Sequence, residues 1–329
     1  MKKSIKLRAL AITCSLLVSC GIGELAARYL LPPPARIPRD ERNLTYRYDS
    51  QLGWFPKENS QRHFRGSRRI RVRHNRDGFR DHEYAPKSKP RVIFLGDSFV
   101  WGYDAESEER FTEKLQAQLL EVEVMNQGVS GYAPDQEYLL AERSLAKYQP
   151  DLVVLVYCVE NDHIETASNN QFGSYKPYFV KVDGALELRG VPVPLSLPYF
   201  YAQYPLLLKS RFLRAIVEAA YSLGEPPKIV TPDVSLELVL KIRSLVEAIG
   251  ARFLIVLTRD DSKLEPELRA RSIPYLNVGP AARFPRLGNH WTPEGHDFVA
   301  EQLNDYLRKH FDLTTLQAST QAEPKASRR

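Results

Sequence analysis

Gly96-Asp97-Ser98-Phe99 follows directly on the apolar run Arg91-Val-Ile-Phe-Leu95. A short uninterrupted apolar run of this kind reads as a buried parallel strand. The glycine allows a sharp turn, so Ser98 falls where the strand ends and a helix begins. Ligands of open α/β sheets bind outside the carboxyl ends of strands. A serine hydroxyl raised there on a tight turn is placed as a nucleophile. Its own pKa is too high for attack at neutral pH, so a base must take its proton.

Three further stretches supply what such a serine needs. The strand Val122–Met125 leads into Asn126-Gln-Gly-Val-Ser-Gly131-Tyr-Ala, where glycines let backbone N–H groups approach a ligand. The strand Asp151–Tyr157 ends in Cys158-Val-Glu-Asn161-Asp162, which puts a side-chain amide at the same rim. Gly288-Asn-His290-Trp-Thr-Pro-Glu-Gly-His296 precedes an amphipathic helix of about 17 residues. Thr292 suits an N-cap and Pro293 a first helical residue, so His290 lies in the loop ahead of that helix.

These four pieces, in this order, resemble the blocks of the SGNH (GDSL-type) hydrolase family over about residues 91–311. Asn75-Arg-Asp-Gly-Phe-Arg-Asp81 resembles the segment that precedes the domain in envelope-anchored members. The resemblance implies a three-layer α/β/α fold with a mostly parallel, flavodoxin-like sheet of five strands. It also implies ester hydrolysis through an acyl-serine. Ser98 would be the nucleophile and His290 the base, with Ser98 N–H, Gly131 N–H and the Asn161 amide forming the oxyanion hole. Acetylated or acylated carbohydrate is the substrate class that the family's exported members suggest. The same site would also serve an O-acyltransferase acting on a polysaccharide.

Two departures stand out. Val159 occupies a position usually held by glycine, and Leu287 and Gly288 stand where an aspartate usually precedes the histidine. Such an aspartate fixes the imidazole tautomer, and spoiling that role costs about 10⁴-fold in serine proteases. Three readings follow: a backbone carbonyl orients His290 in a Ser-His dyad; a carboxylate from elsewhere, Asp162 or Glu294, reaches the ring; or the site is decayed and the chain is a non-catalytic glycan- or lipid-binding envelope protein. Other residues read more plainly. His296 supports the His290 loop, His163 lies at the surface and Cys158 is a small buried residue. No spacing points to a metal. Gly21-Ile-Gly23 follows no strand and is no dinucleotide fingerprint, so no cofactor is expected.

The elements that position these residues repeat regularly. Helices are expected at 108–120, 135–147 and 236–249, with further strands at 252–257 and 274–278. Strands alternating with helices imply a parallel sheet covered on both faces. The rhythm breaks over about 163–234, an insertion after the third core strand that is expected to cap the crevice. Within it, Asp183-Gly184 marks a hairpin between 176–182 and 185–189, and its tyrosines either line the crevice or pack among themselves.

The first 31 residues carry a basic leader and an uncharged segment from Ala9 to Gly23. Leu17-Val-Ser-Cys20 resembles a lipobox that would lipidate Cys20; the other reading is an uncleaved anchor to Leu31, with Glu24 and Arg28 paired at its outer end. Both place the chain in a bacterial envelope, held at the membrane with the domain outside. Pro32–Pro34 form a stiff spacer within a basic lead-in, 32–90. There, Arg62–His74 reads as a charged edge strand or as a patch for anionic glycans or lipids. With three cysteines, two of them in the targeting segment, no disulfide framework is available. The net charge of +6 permits anionic contacts, but no nucleic-acid module is present. The tail 312–329 reads as disordered.

Overall fold

The computed structural model describes residues 2–31, 41–285 and 289–311. The proline spacer, Leu287 and Gly288, and the 312–329 tail lie outside the described residues. By internal contacts the chain forms two units, one of Arg39–Pro194 with Lys228–Arg329 and one of Met1–Pro38 with Leu195–Pro227.

The larger unit is built on five strands: β1 (Arg91–Gly96), β2 (Glu123–Asn126), β3 (Leu152–Tyr157), β4 (Arg252–Leu257) and β5 (Tyr275–Asn277). Their spatial order is β2-β1-β3-β4-β5, and every pairing is parallel. This is the flavodoxin-like order, whose direction reverses between β1 and β3. Side chains alternate across the sheet as a period of two requires. Val92, Phe94, Val154, Val156, Leu254 and Val256 enter one core with Phe111, Leu115, Val299 and Leu303 from the helices Phe111–Gln118 and Pro293–His310. The helices Pro134–Tyr148 and Ser235–Ala248 pack on each other and touch β1 and β4. The expected alternation holds, with helix and strand ends moved by at most three residues. The 178–182/185–189 hairpin forms with Asp183-Gly184 at its turn.

In the basic lead-in, Arg69–Arg73 pairs antiparallel with Gln61–Arg65 in a two-stranded ribbon separate from the central sheet. Its period-two reading holds, because Ile70 and Val72 are buried while Arg69, Arg71 and Arg73 face solvent. The apolar face, with Phe64, packs on Trp101 at the end of the helix that starts at Ser98. The insertion differs from the single cap expected. Its 163–194 part belongs to the larger unit, whereas Leu195–Pro227 folds with the N-terminal helix.

Arg80 ties the lead-in to the turn after Ser98. Fully buried, it donates to the carbonyls of Gly102 and Ala105 at 2.6 Å each and to those of Trp101 and Arg71 at 3.2 Å. Burial and the neighbouring Arg110 push its pKa down to about 9, and the charge survives because carbonyl dipoles surround it. Removing the guanidinium strands several buried carbonyls, each worth about 1–3 kcal/mol. Arg80→Ala is therefore expected to lower unfolding free energy by about 3 kcal/mol or more in urea titrations. A loss below about 1 kcal/mol would show that the lead-in does not brace this turn.

Candidate active site

Asp97 caps the short helix Ser98–Trp101, its carboxylate accepting the Phe99 N–H at 2.9 Å. This cap and the turn after β1 hold Ser98 at the reversal point of the sheet. The His290 loop arrives 192 positions later and is pinned at both ends. Phe284 N–H donates to the His290 carbonyl at 2.8 Å, and Thr292 N–H to the Ala282 carbonyl at 3.0 Å. Thr292 caps the following helix by accepting the Gly295 N–H at 3.2 Å, with Pro293 in its first turn, as its sequence implies.

Between them, His290 Nε2 lies 2.7 Å from Ser98 Oγ. At that distance an imidazole can take the hydroxyl proton. Tyr103 stacks on the His290 ring, centroids 4.2 Å apart and planes 21° from parallel, and the Phe99 ring lies 5.2 Å away. Ser98 and His290 are both 8% exposed.

They line a cavity of about 400 Å³ together with Gly131, Asn161 and Cys158, so the expected nucleophile, base and oxyanion residues meet there. Gly131 has φ +81°, and an added Cβ would come 3.3 Å from the Arg42 guanidinium and 3.4 Å from the Trp54 ring. Both the left-handed backbone and the close neighbours therefore favour glycine. The preceding loop is held by the lead-in. Ser130 N–H donates to the Tyr46 hydroxyl at 2.9 Å, and Ser130 Oγ donates to Glu41 at 2.6 Å. Asn161 Nδ2 donates to Glu165 Oε1 at 3.1 Å.

The two carboxylates considered as orienting partners of His290 are engaged elsewhere. Asp162 is fully buried and accepts the Cys158 N–H at 2.7 Å, closing its own turn. Glu294 is exposed in the first turn of the last helix and interacts with its own N–H and the Thr292 hydroxyl, which lower its pKa. Closeness in sequence does not by itself aim a side chain. Cys158 is buried, and burial pushes its thiol up. His296 is buried, stacked on Phe111 and accepting its N–H at 3.3 Å. His163 lines a neighbouring cavity of about 570 Å³, which adjoins the first at Glu160.

Sequence reasoning missed several lining residues. Arg42, paired with Glu41 at 2.8 Å, stands over the Phe172 ring at 3.8 Å. Glu160 accepts from Thr258 at 2.7 Å and Arg283 at 2.6 Å; although burial opposes its charge, these partners hold its pKa below the ordinary value. Only Tyr103 had a local signal, an aromatic residue five positions after Ser98 where the chain turns back.

Beneath the cavity lies a layer of buried carboxyls. Burial raises Asp97 to about 6. Burial and then Asp97 raise Glu165 to about 8. Glu137 and Asp162 are also raised, by burial first and then by neighbouring carboxylates. An acid whose folded pKa is raised keeps a proton that the unfolded chain has lost, so stability falls as pH climbs from the unfolded value to the folded one. Buried His74, lowered to about 3, and His296, also lowered, act in the opposite sense, but only below their unfolded value of about 6.5. The half-buried His82, raised to about 9 chiefly by its hydrogen bond to Asp81, loses its contribution over the same upper range. The urea midpoint is therefore expected to fall between pH 6.5 and 8.5, and less steeply in Glu165→Gln. Equal slopes for the two proteins would refute titration of Glu165 in this range.

No family model matches the chain, and no curated protein matches it. Among solved structures, a lipolytic G-D-S-L family protein from Veillonella parvula is similar at 13% identity and a TM-score of 0.41, covering 67% of this chain and 98% of that one. A GDSL-like lipase from Bacteroides thetaiotaomicron is similar at 12% identity and a TM-score of 0.39, covering 68% and 91%. A psychrotrophic esterase from a Pseudoalteromonas species is similar at 11% identity and a TM-score of 0.37, covering 67% and 98%. At this level the likeness carries no argument about chemistry, which rests on the geometry above.

Proposed function

We propose that this chain is a serine ester hydrolase working through an acyl-enzyme. The observation that carries the reading is the 2.7 Å contact between His290 Nε2 and Ser98 Oγ inside a cavity also lined by Gly131 and Asn161. His290 takes the Ser98 proton as Oγ attacks the ester carbonyl. The negative oxygen of the tetrahedral intermediate is held by the N–H groups of Ser98 and Gly131 and by the second Nδ2 hydrogen of Asn161. Each such donor is worth roughly 3–4 kcal/mol of barrier. Collapse expels the alcohol, which takes the proton from His290; a water then repeats the sequence and frees Ser98. Glu165 acts as a positioning residue by accepting the other Asn161 hydrogen. Tyr103, stacked on the imidazole, holds its plane.

The substrate class proposed is an acylated carbohydrate or other envelope ester, supported by the motif resemblance and by the N-terminal helix. Lys2–Leu30 is one continuous helix that passes Cys20 without a break, and an 18-residue stretch within its Ile5–Leu30 part has a mean hydropathy of 1.8. That is long and apolar enough to cross a membrane. The reading taken here is an uncleaved anchor, with the basic leader inside and the hydrolase unit outside.

A fluorophosphonate probe is expected to label Ser98, and Ser98→Ala is expected to abolish labelling and to lower kcat on a short-chain acyl ester by about 10⁴-fold or more. Asn161→Ala is expected to lower kcat by about 10²–10³-fold with little change in KM. Undiminished turnover by Ser98→Ala would end the hydrolase reading.

A further inference from the structure

The smaller unit contains a helix whose polarity is inverted. Along Arg211–Gly224, Leu213, Ile216, Ala220 and Leu223 recur at intervals of three and four and form one stripe, exposed throughout. Leu223 is 91% exposed and Ile216 50%. The opposite side is polar and engaged within the unit. Arg214, 9% exposed, donates to Glu218 at 2.6 Å, and the Tyr201 hydroxyl reaches the same carboxylate at 3.4 Å. A helix in water turns its apolar stripe inward; this one turns it outward.

The helix is fixed to the end of the N-terminal helix. Glu24 accepts from Ser210 Oγ at 2.7 Å and from Phe212 N–H at 3.0 Å, and Arg28 pairs with it at 2.7 Å. Arg211 donates to the Arg28 carbonyl at 3.1 Å. Counting along the N-terminal helix, Arg8 and Arg28 lie about 30 Å apart at 1.5 Å per residue, the thickness of a bilayer's hydrocarbon core. Glu24 and Arg28 thus mark the outer boundary if that helix spans. The 211–224 helix begins beside Glu24, whose neighbours Ile22 and Leu25 are also exposed.

We infer that the Arg211–Gly224 helix is a second membrane-contact element, lying at the outer interface with Leu213, Ile216 and Leu223 dipped into the acyl-chain boundary of a phospholipid bilayer. The inference rests on the anchor reading. Exposed Lys209 at the start of the element suits anionic headgroups. Such an element holds the chain at the membrane surface by two points instead of one.

The test uses the full chain in phosphatidylethanolamine–phosphatidylglycerol vesicles, with an environment-sensitive fluorescent amino acid placed singly at Leu213, Ile216 or Leu223. Val18 in the N-terminal helix and exposed Glu301 serve as references. Lipids brominated near the headgroup end of their chains are expected to quench the probes at Leu213 and Leu223 at least twofold and to leave Glu301 unchanged. Quenching at Val18 without quenching at Leu213 and Leu223 overturns the inference and leaves the anchor standing. An unquenched Val18 removes the anchor, and the probes at Leu213 and Leu223 still decide the inference by their own quenching. A blue shift that follows protein concentration but not brominated lipid means a second copy covers the stripe, and also overturns it.

Discussion

A hydrogen bond between two residues 192 positions apart is the constraint that the larger unit satisfies. Serine and imidazole do nothing together at 5 Å and become a nucleophile and its base at 2.7 Å. That difference is smaller than one side-chain rotation, so it needs rigid supports on both sides. A parallel sheet supplies them, because all its strands deliver their carboxyl ends to one rim. The strand order reverses between β1 and β3, which opens a crevice at the point where Ser98 and Asn161 emerge. The last helix, packed on the Phe111–Gln118 helix, fixes the loop that brings His290 across.

The supports are themselves held by polar groups that are expensive to bury. Arg80 locks the turn after Ser98 through four carbonyls, and Glu41 grips Ser130 beside Gly131. Both come from the basic lead-in, which is thus part of the site's framework. Beneath, Asp97, Glu137, Asp162 and Glu165 share a region where ionisation of one raises the others. Burying carboxyls is unfavourable for stability, yet here they cap the helix that starts at Ser98, close the Asn161 turn and hold its amide. Stability is given up where the geometry must not drift.

The smaller unit follows the opposite logic. Its polar groups face each other, Arg214 on Glu218 and Ser210 on Glu24, and its leucines face outward. In water that arrangement wastes the hydrophobic effect; against lipid it is the stable one. Helix periodicity alone does not reveal it, since an amphipathic pattern reads the same whichever face is buried.

What the sequence determined by itself was local. Short apolar runs made Arg91–Gly96, Leu152–Tyr157 and Arg252–Leu257 strands, alternation buried Ile70 and Val72, and Thr292-Pro293 started the last helix, because each depends on neighbours within a few residues. Ser98, Gly131, Asn161 and His290 were legible because each sits at the end of such an element, where its type is chemically distinctive. Tertiary structure alone decided what approaches from a distance: Tyr103 stacked on His290, Arg42 and Glu160 at the cavity wall, Asp162 turned inward, and Leu195–Pro227 joined to the N-terminal helix. Those outcomes depend on the direction of side chains across space, and residue order along a chain does not encode direction until the packing closes.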